Sequence, residues 1–122
     1  MTDTEHSFLT TIGTAAPEAA DGRATLSMDV DDRHLNAAGT VHGGLLATLV
    51  DTTMGAAILS VVDNETPATS QLTVTYLRPG KPGPLTVTAT VRKRGDNLTV
   101  CESEVEQDGK SLVHALATFA LT

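Results

Sequence analysis

Aromatic residues and cysteines are scarce in this chain of 122 residues, which has no Trp, one Tyr, two Phe and one Cys. So few aromatic rings offer little surface for stacking on nucleic-acid bases, and a net charge of −7 repels a phosphate backbone. A single cysteine, Cys101, allows no disulfide within the chain and is most simply a small buried strand residue. The composition therefore argues against nucleic-acid binding and against a disulfide-stabilised secreted domain.

The N-terminal segment MTDTEHSFL lacks the basic and apolar regions of a secretory signal. Residues 45–62 form an apolar run of eighteen residues, which is long enough to suggest a membrane span. Asp51, several hydroxyl side chains and the absence of aromatic anchors in that run disfavour this interpretation. We therefore expect a cytoplasmic protein with no membrane partner and a single domain over residues 1–122.

Strands are predicted on both sides of the apolar run from the alternation of apolar and polar residues. The alternating segments are residues 24–30, 72–76 and 85–91. Further strands are predicted at residues 98–106 and at residues 112–121, and the latter is apolar on both faces except at His114 and Thr118, as a central strand would be. Asp108-Gly109 is a strong hairpin signal between the last two. We expect residues 1–10 to be a loosely held lead-in anchored by Phe8 and Leu9, and residues 11–17 to form a short first strand.

The apolar run belongs to a longer segment, NAAGTVHGGLLATLVDTTMGAAILSVV at residues 36–62, which predicts a buried helix. Asp51 is its only carboxylate, and burying a carboxylate is costly unless something pairs with it. Helical spacing places Thr48, Asp51, Thr52 and Gly55 on one narrow stripe. Because Gly43 and the next glycine start the helix, another group can approach its free N–H groups closely.

Gly43 and Asp51 are eight residues apart, which is about 12 Å along a helix. A base and an oxyanion donor that act on one carbonyl must each lie within about 3.5 Å of the reacting atoms. If both residues act in one site, Gly43 must come from one chain and Asp51 from another. Two-fold symmetry would then create two such sites in a dimer.

The pattern Asn36-x-x-Gly39-x-x-His42-Gly43-Gly44, followed by Asp51, resembles the hotdog-fold acyl-CoA thioesterases of the PaaI-like and THEM-type group. The resemblance continues through Thr69 and the segment VTYLRPGK at residues 74–81. It implies an α+β hotdog fold, in which an antiparallel sheet of five to six strands wraps around one long central helix. It also implies an enzyme that converts an acyl-CoA to a carboxylic acid and free CoA without a cofactor, and a homodimer that pairs into a tetramer. A role in phenylacetate degradation is a further expectation.

The resemblance also implies roles for individual residues. Asp51 would act as general base on water or as nucleophile, and burial in an apolar helix would raise its pKa towards neutrality. The N–H of Gly43 would polarise the thioester carbonyl. Asn36 would help to hold the water or the carbonyl, and His42 would support the start of the helix.

Thr69 stands where THEM-type relatives carry a Ser that positions the water. The neighbouring Ser70 leaves a slip of one residue open in this assignment, and Gln71 replaces an acidic residue of the relatives. Gly44 and Thr52 complete the expected substrate-binding residues around the helix.

Five of the eight basic residues lie between positions 78 and 94, although the chain as a whole is acidic. They are Arg78, Lys81, Arg92, Lys93 and Arg94. Such cations suit the phosphates of coenzyme A, whereas an ordinary solvated hairpin end is the simpler explanation of a charge cluster. His6, His34 and His114 have no metal-ligand spacing, so we expect no metal.

Other functions are also compatible with the sequence. A non-catalytic acyl-CoA-binding module would retain the fold and bind without turnover. A hotdog hydratase or dehydratase uses an Asp–His pair in a differently spaced motif that this sequence lacks. The small residues Gly55 and Ala56 favour an aryl or medium-chain acyl group, and a CoA thioester is not distinguished from that of an acyl-carrier protein.

Overall fold

A six-stranded antiparallel sheet wraps around one long helix in the computed structural model, which describes residues 3–122. The helices are α1 (Asp3–Ile12) and α2 (Gly43–Leu59), with a short 3₁₀ helix at Asp32–His34. The strands are β1 (Glu18–Ala20), β2 (Arg23–Val30), β3 (Pro67–Tyr76), β4 (Gly83–Arg94), β5 (Leu98–Gln107) and β6 (Lys110–Leu121). Met1, Thr2 and the side chains of residues 3–7, among them His6, lie outside the described part of the structure.

The strands lie in the order β1-β2-β4-β5-β6-β3, and every neighbouring pair is antiparallel. The helix α2 connects β2, near one side of the sheet, with β3 at the opposite edge. Asp108 and Gly109 both have positive φ in the β5–β6 hairpin, as its two-residue turn requires. The predicted architecture of one central helix and an antiparallel sheet is confirmed, with six strands.

The core lies between α2 and the sheet face that it covers. Its largest fully buried apolar side chains are Leu49, Val50, Met54, Ile58, Val87, Val105 and Val113. The stripe of Thr48, Asp51, Thr52 and Gly55 is only partly buried and lies on the side of α2 away from these residues. Leu59 is 53% exposed although it is apolar, because α2 ends there.

The other face of the sheet is mostly polar. Arg92, Glu102 and His114 interact on it, with 2.9 Å between His114 Nε2 and Glu102 Oε2 and 3.8 Å between Arg92 Nε and Glu102 Oε1. The hydrogen bond from His114 is the main cause that lowers the pKa of Glu102. The exposed apolar exceptions on this face are Leu98 and Leu116. Because charged and hydroxyl-bearing side chains cover most of this face, it can be exposed to solvent.

The N-terminal expectation was wrong, because residues 3–12 form the helix α1 and the first strand is only Glu18–Ala20. Gly13 ends the helix in the left-handed region at φ 82°, and the N–H groups of Gly13 and Thr14 donate to the carbonyl of Leu9. This is the usual way in which a glycine terminates a helix. None of the helices in residues 3–122 is both long and apolar enough to cross a bilayer.

His34 links α1 to the start of α2 from a buried position. Its Nε2 lies 2.6 Å from the carbonyl oxygen of Ile12, and its Nδ1 accepts a hydrogen bond of 3.0 Å from the Asp31 N–H. With one nitrogen accepting and the other donating, the ring is the neutral tautomer. The His34 carbonyl accepts from the N–H of His42, directly before α2. The imidazole therefore holds three segments in register.

Replacement of His34 by Ala should lower the free energy of unfolding by about 2 kcal/mol, because it removes a buried side chain and takes the hydrogen-bond partner from a partly buried carbonyl and a partly buried N–H. Urea unfolding followed by circular dichroism measures this loss. The control is Arg33→Ala, which removes an exposed ion pair with Asp31 and should change stability by less than about 1 kcal/mol. Equal effects of the two changes would contradict the role given to His34.

Candidate active site

His42 caps the N-terminus of α2 and occupies three of the first four N–H groups. Its Nδ1 accepts from Gly44 N–H at 3.0 Å, and its carbonyl accepts from Leu45 and Leu46 at 3.0 and 3.3 Å. The N–H of Gly43 has no acceptor among the described residues. It lies at the positive end of the helix dipole and is therefore free to donate to an oxygen that gains negative charge.

Asn36 shapes the loop that leads into α2. Its Oδ1 accepts from the N–H groups of Ala38 and Thr40 at 3.0 and 3.1 Å, and its Nδ2 donates to Thr40 Oγ1 at 3.0 Å. Gly39 turns the loop with φ 85°. The side-chain amide of Asn36 therefore stabilises the loop. One of its two Nδ2 hydrogens has no partner among the described residues.

A cavity of about 430 Å³ opens beside the N-terminus of α2. We call it the glycine cavity, defined by Asn36, His42, Gly43, Tyr76 and Arg78. Gly44 lines it as well. The structure thus brings the predicted residues of the Asn-x-x-Gly-x-x-His-Gly-Gly motif together around the free N–H. Tyr76 was part of the matched segment, but no feature of the sequence singled it out.

Asp51 meets Thr69 on the partly exposed side of α2. Thr69 Oγ1 donates to Asp51 Oδ1 at 2.6 Å, while Oδ2 has no partner among the described residues. A bulge in β3 between Thr69 and Gln71 turns Thr69 towards α2, and Ser70 Oγ instead donates to the carbonyl of Thr118. Thr69, and not Ser70, is therefore the hydroxyl that reaches the carboxylate, and Gln71 is exposed.

A second cavity of about 650 Å³ contains Asp51 and Thr69. We call it the aspartate cavity, and it is lined by these two residues with Thr52, Gly55, Ala56, Leu59, Phe119 and the α1 residues Phe8 and Leu9. Apart from the polar groups of Asp51, Thr52 and Thr69, these named walls are apolar or small. Phe8 and Leu9 were expected only to anchor the N-terminus, and their place in this wall could not be seen before α1 was known.

Within one chain, Gly43 and Asp51 line different cavities at different positions along α2. Asn36 and His42 line the same cavity as Gly43, whereas Thr52 and Thr69 line the same cavity as Asp51. The chain therefore presents the Gly43 N–H and the Asp51 carboxylate in two separate places, which we call half-sites, and does not bring them together. This agrees with the distance of about 12 Å that the helical spacing predicts.

The five basic residues do not form one cluster in this chain, which corrects that part of the prediction. Arg78 and Lys81 precede β4, while Arg92, Lys93 and Arg94 end it, so the strand separates them by about 35 Å. Arg92 interacts with Glu102 on the polar face of the sheet, and Arg94 pairs with Glu65 at 2.7 Å. Arg78 lines the glycine cavity, and Lys81 lies beside Arg78 in a neighbouring cavity.

Cys101 is fully buried against α2, and burial raises the pKa of its thiol to about 12. A thiol in this state is not a nucleophile at neutral pH. Among the side chains that the structure describes, those of residues 8–122, no group of three or more His, Cys, Asp or Glu is arranged to hold a metal ion. The reactive candidates therefore remain the two half-sites on α2.

Native protein should not react with a thiol reagent such as DTNB at pH 8, because the Cys101 thiol stays protonated until the pH approaches about 12 and is shielded by the core. Protein unfolded in guanidinium should react with one equivalent. Absorbance at 412 nm measures both. Rapid labelling of the folded protein would contradict the burial of this side chain.

Comparisons with known proteins identify the family to which the chain belongs. Residues 38–114 match the model of the family described as the thioesterase superfamily, so the chain belongs to that superfamily. It is 40% identical over 81 residues to human acyl-coenzyme A thioesterase 13, and the match covers 66% of this chain. The match spans only 58% of the human protein's length.

Solved structures define the group more closely. The E. coli PaaI protein from the phenylacetic acid degradation operon superposes with a TM-score of 0.85 at 28% identity, covering 95% of this chain and 84% of PaaI. A thioesterase protein from Streptococcus pneumoniae, solved with coenzyme A, gives a TM-score of 0.80 at 27% identity over 89% and 95% of the two chains. The predicted hotdog fold and the PaaI-like resemblance are confirmed.

Proposed function

We propose that this protein hydrolyses an acyl-CoA thioester to a carboxylic acid and free CoA. The observation that carries the proposal is the pair of half-sites on α2. One cavity contains the free N–H of Gly43, and a second, largely apolar cavity contains the carboxylate of Asp51, which is hydrogen-bonded to Thr69. Together these supply an oxyanion donor, a base and an acyl pocket. Each is a requirement of thioester hydrolysis.

The thioester carbonyl would bind with its oxygen at the Gly43 N–H of one subunit. When water attacks the carbonyl carbon, negative charge develops on this oxygen at the positive end of the α2 dipole. A donor placed there stabilises the transition state more than the ground state. His42 keeps the donor available, because it occupies the neighbouring Gly44 N–H with its own Nδ1.

Asp51 of the other subunit would activate the water. Thr69 holds Oδ1, which leaves Oδ2 to accept the proton as the water oxygen bonds to the carbonyl carbon. The C–S bond then breaks, and the proton passes from Asp51 to the departing sulfur. Direct attack by the carboxylate, followed by hydrolysis of the resulting anhydride, uses the same residue and gives the same products.

The acyl group would occupy the aspartate cavity, where Phe8, Leu59 and Phe119 supply apolar surface. Its volume of about 650 Å³ suits an aryl or medium-chain group. Arg78 at the glycine cavity and Lys81 in the neighbouring cavity are candidates for binding the CoA phosphates, with Gly44 beside the thioester. Because Arg92, Lys93 and Arg94 lie at the far end of β4, they would reach the same CoA only from another chain.

A homodimer is part of this proposal, since it joins the Gly43 half-site of one chain to the Asp51 half-site of the next. Two-fold symmetry makes both copies of the site equivalent. Pairing of dimers into a tetramer, a cytoplasmic location and a role in phenylacetate degradation remain predictions. The last is supported only by the similarity to PaaI.

Asp51→Asn should lower kcat for thioester hydrolysis by about 10²- to 10⁴-fold, because the amide cannot take a proton from water. Free-thiol release from a panel of aryl- and alkyl-CoA esters measures this and ranks the substrates. The matched control is Asp29→Asn, the same change on an exposed strand position outside both cavities, which should leave the rates unchanged.

Equal hydrolysis by wild type and a folded Asp51→Asn protein would assign Asp51 a structural role and contradict the mechanism. Wild-type protein that binds the CoA esters without turning them over would favour the non-catalytic binding module instead. Calorimetric titration with a non-hydrolysable acyl-CoA analogue detects this second case.

The two-chain site is tested by complementation. Gly43→Pro removes the N–H donor at the first helical position, where proline is well tolerated, and His42 already has the extended conformation that precedes proline (φ −60°, ψ 129°). We expect Gly43→Pro and Asp51→Asn each to be inactive alone. A mixed dimer purified through two different tags should recover about half of the wild-type activity, because one of its two sites is intact.

Gly43→Ala is the matched control for the proline change, since it adds a similar Cβ but keeps the N–H. It should retain more activity than Gly43→Pro by about 10²-fold, the usual value of one oxyanion donor. A mixed dimer that is as inactive as both parents would place the complete site within one chain.

A further inference from the structure

We propose that Tyr76 is a positioning residue of this site, whose hydroxyl holds the first peptide group of α2 and thereby orients the Gly43 N–H. Tyr76 is the only Tyr of the chain and the last residue of β3. Its hydroxyl donates to the carbonyl oxygen of Gly43 at 2.7 Å. The inference rests on the proposed thioesterase function, because it concerns the donor that function uses.

Hydrogen bonds to β6 hold the backbone around Tyr76 in place. Tyr76 pairs with the buried Val113 of β6, so its side chain lies on the face of the sheet that α2 covers. Directly after it, the N–H groups of Leu77 and Arg78 donate to the carbonyl of Leu112 at 2.8 and 3.3 Å. The ring itself is 52% exposed at the glycine cavity. It therefore adds little to the core, and its most specific contact is the hydrogen bond to Gly43.

The bond completes the restraint of a flexible dipeptide. The Gly43 carbonyl and the Gly44 N–H belong to one peptide group, and side chains from different segments hold both atoms: Tyr76 the oxygen and His42 the N–H. Glycines have wide φ and ψ freedom and the first turn of a helix frays, so these two side-chain hydrogen bonds add a restraint to the one that the helix itself provides. Once this peptide group is held, the preceding peptide, which carries the free Gly43 N–H, has fewer orientations.

Tyr76 positions the donor and does not itself donate to the substrate in this arrangement. A phenol has one proton, and Tyr76 gives it to the Gly43 carbonyl. An oxyanion at the Gly43 N–H would therefore receive no hydrogen bond from Tyr76. This separates a positioning role from a second oxyanion donor.

The same contact explains why position 43 carries no side chain. A Cβ on Gly43 would lie 3.2 Å from the Tyr76 hydroxyl oxygen and 3.3 Å from Cζ, which is tighter than ordinary packing. A Cβ at position 43 requires the exposed ring to shift by a few tenths of an ångström, and this shift changes the geometry of the hydrogen bond. Substitutions at positions 43 and 76 should consequently have effects that are not additive.

Tyr76→Phe should lower kcat about 10-fold and change KM by less than about threefold, because a misaligned donor costs transition-state stabilisation rather than ground-state binding. In the free protein, the amide signals of Gly43 and Gly44 in a ¹H–¹⁵N spectrum should shift. The control is Thr75→Val, which removes a hydroxyl from the exposed neighbouring position of β3 and should alter neither kcat nor these two signals.

An unchanged kcat in Tyr76→Phe, with an active wild type, would overturn the proposal, as would equal losses from Tyr76→Phe and Thr75→Val. If the wild type hydrolyses no thioester of the panel, the proposed function fails. The amide spectra still decide the positioning role in that case, since shifts at Gly43 and Gly44 support it and unchanged signals overturn it.

A second pair of variants tests the coupling without relying on one substitution. Gly43→Ala should lower kcat in the wild-type background by a larger factor than in the Tyr76→Phe background, where the hydrogen bond is already lost. Equal factors in the two backgrounds would show that the two positions act independently and would contradict the proposal.

Discussion

One α-helix carries both the free N–H of Gly43 and the carboxylate of Asp51, and its regular rise keeps them about 12 Å apart. The core holds this helix rigidly, because Leu49, Val50 and Met54 are fully buried against the sheet. Neither group can move to the other within a chain. The placement of two half-sites in two cavities, and the proposed assembly of a complete site from two subunits, both follow from this separation.

The sheet provides the side-chain hydroxyls that contact the two groups on α2. Strand β3 reaches both half-sites: the bulge beside Thr69 directs a hydroxyl to Asp51, and Tyr76 at the strand's other end directs one to Gly43. Bulges often re-aim side chains next to active sites. Because β3 pairs with β6 at both of its ends, it can hold Asp51 and the Gly43 peptide group in place, although these two groups lie far apart on α2.

Several errors of prediction have a common origin. The basic residues were grouped by their closeness in sequence, but β4 runs through the group and an extended strand carries its ends far apart. Thr69 was the chosen residue, but a slip to Ser70 stayed open, because a bulge depends on pairing with β6 and leaves little trace in local sequence. The helix α1 was missed although Gly13 marks its end, since its apolar residues are few and Phe8 and Leu9 contact a cavity instead of the core.

The sequence by itself determined the long helix, most of the strands, the polar stripe through Asp51 and the separation of Gly43 from it. These features depend on helical rise, strand alternation and hairpin signals, which are properties of neighbouring residues. Only the tertiary structure decided that Thr69 binds Asp51, that Tyr76 binds Gly43 and that α1 lines the aspartate cavity. Each of these joins segments distant in the chain, and the pairing that brings such segments together is a property of the whole fold rather than of any local pattern.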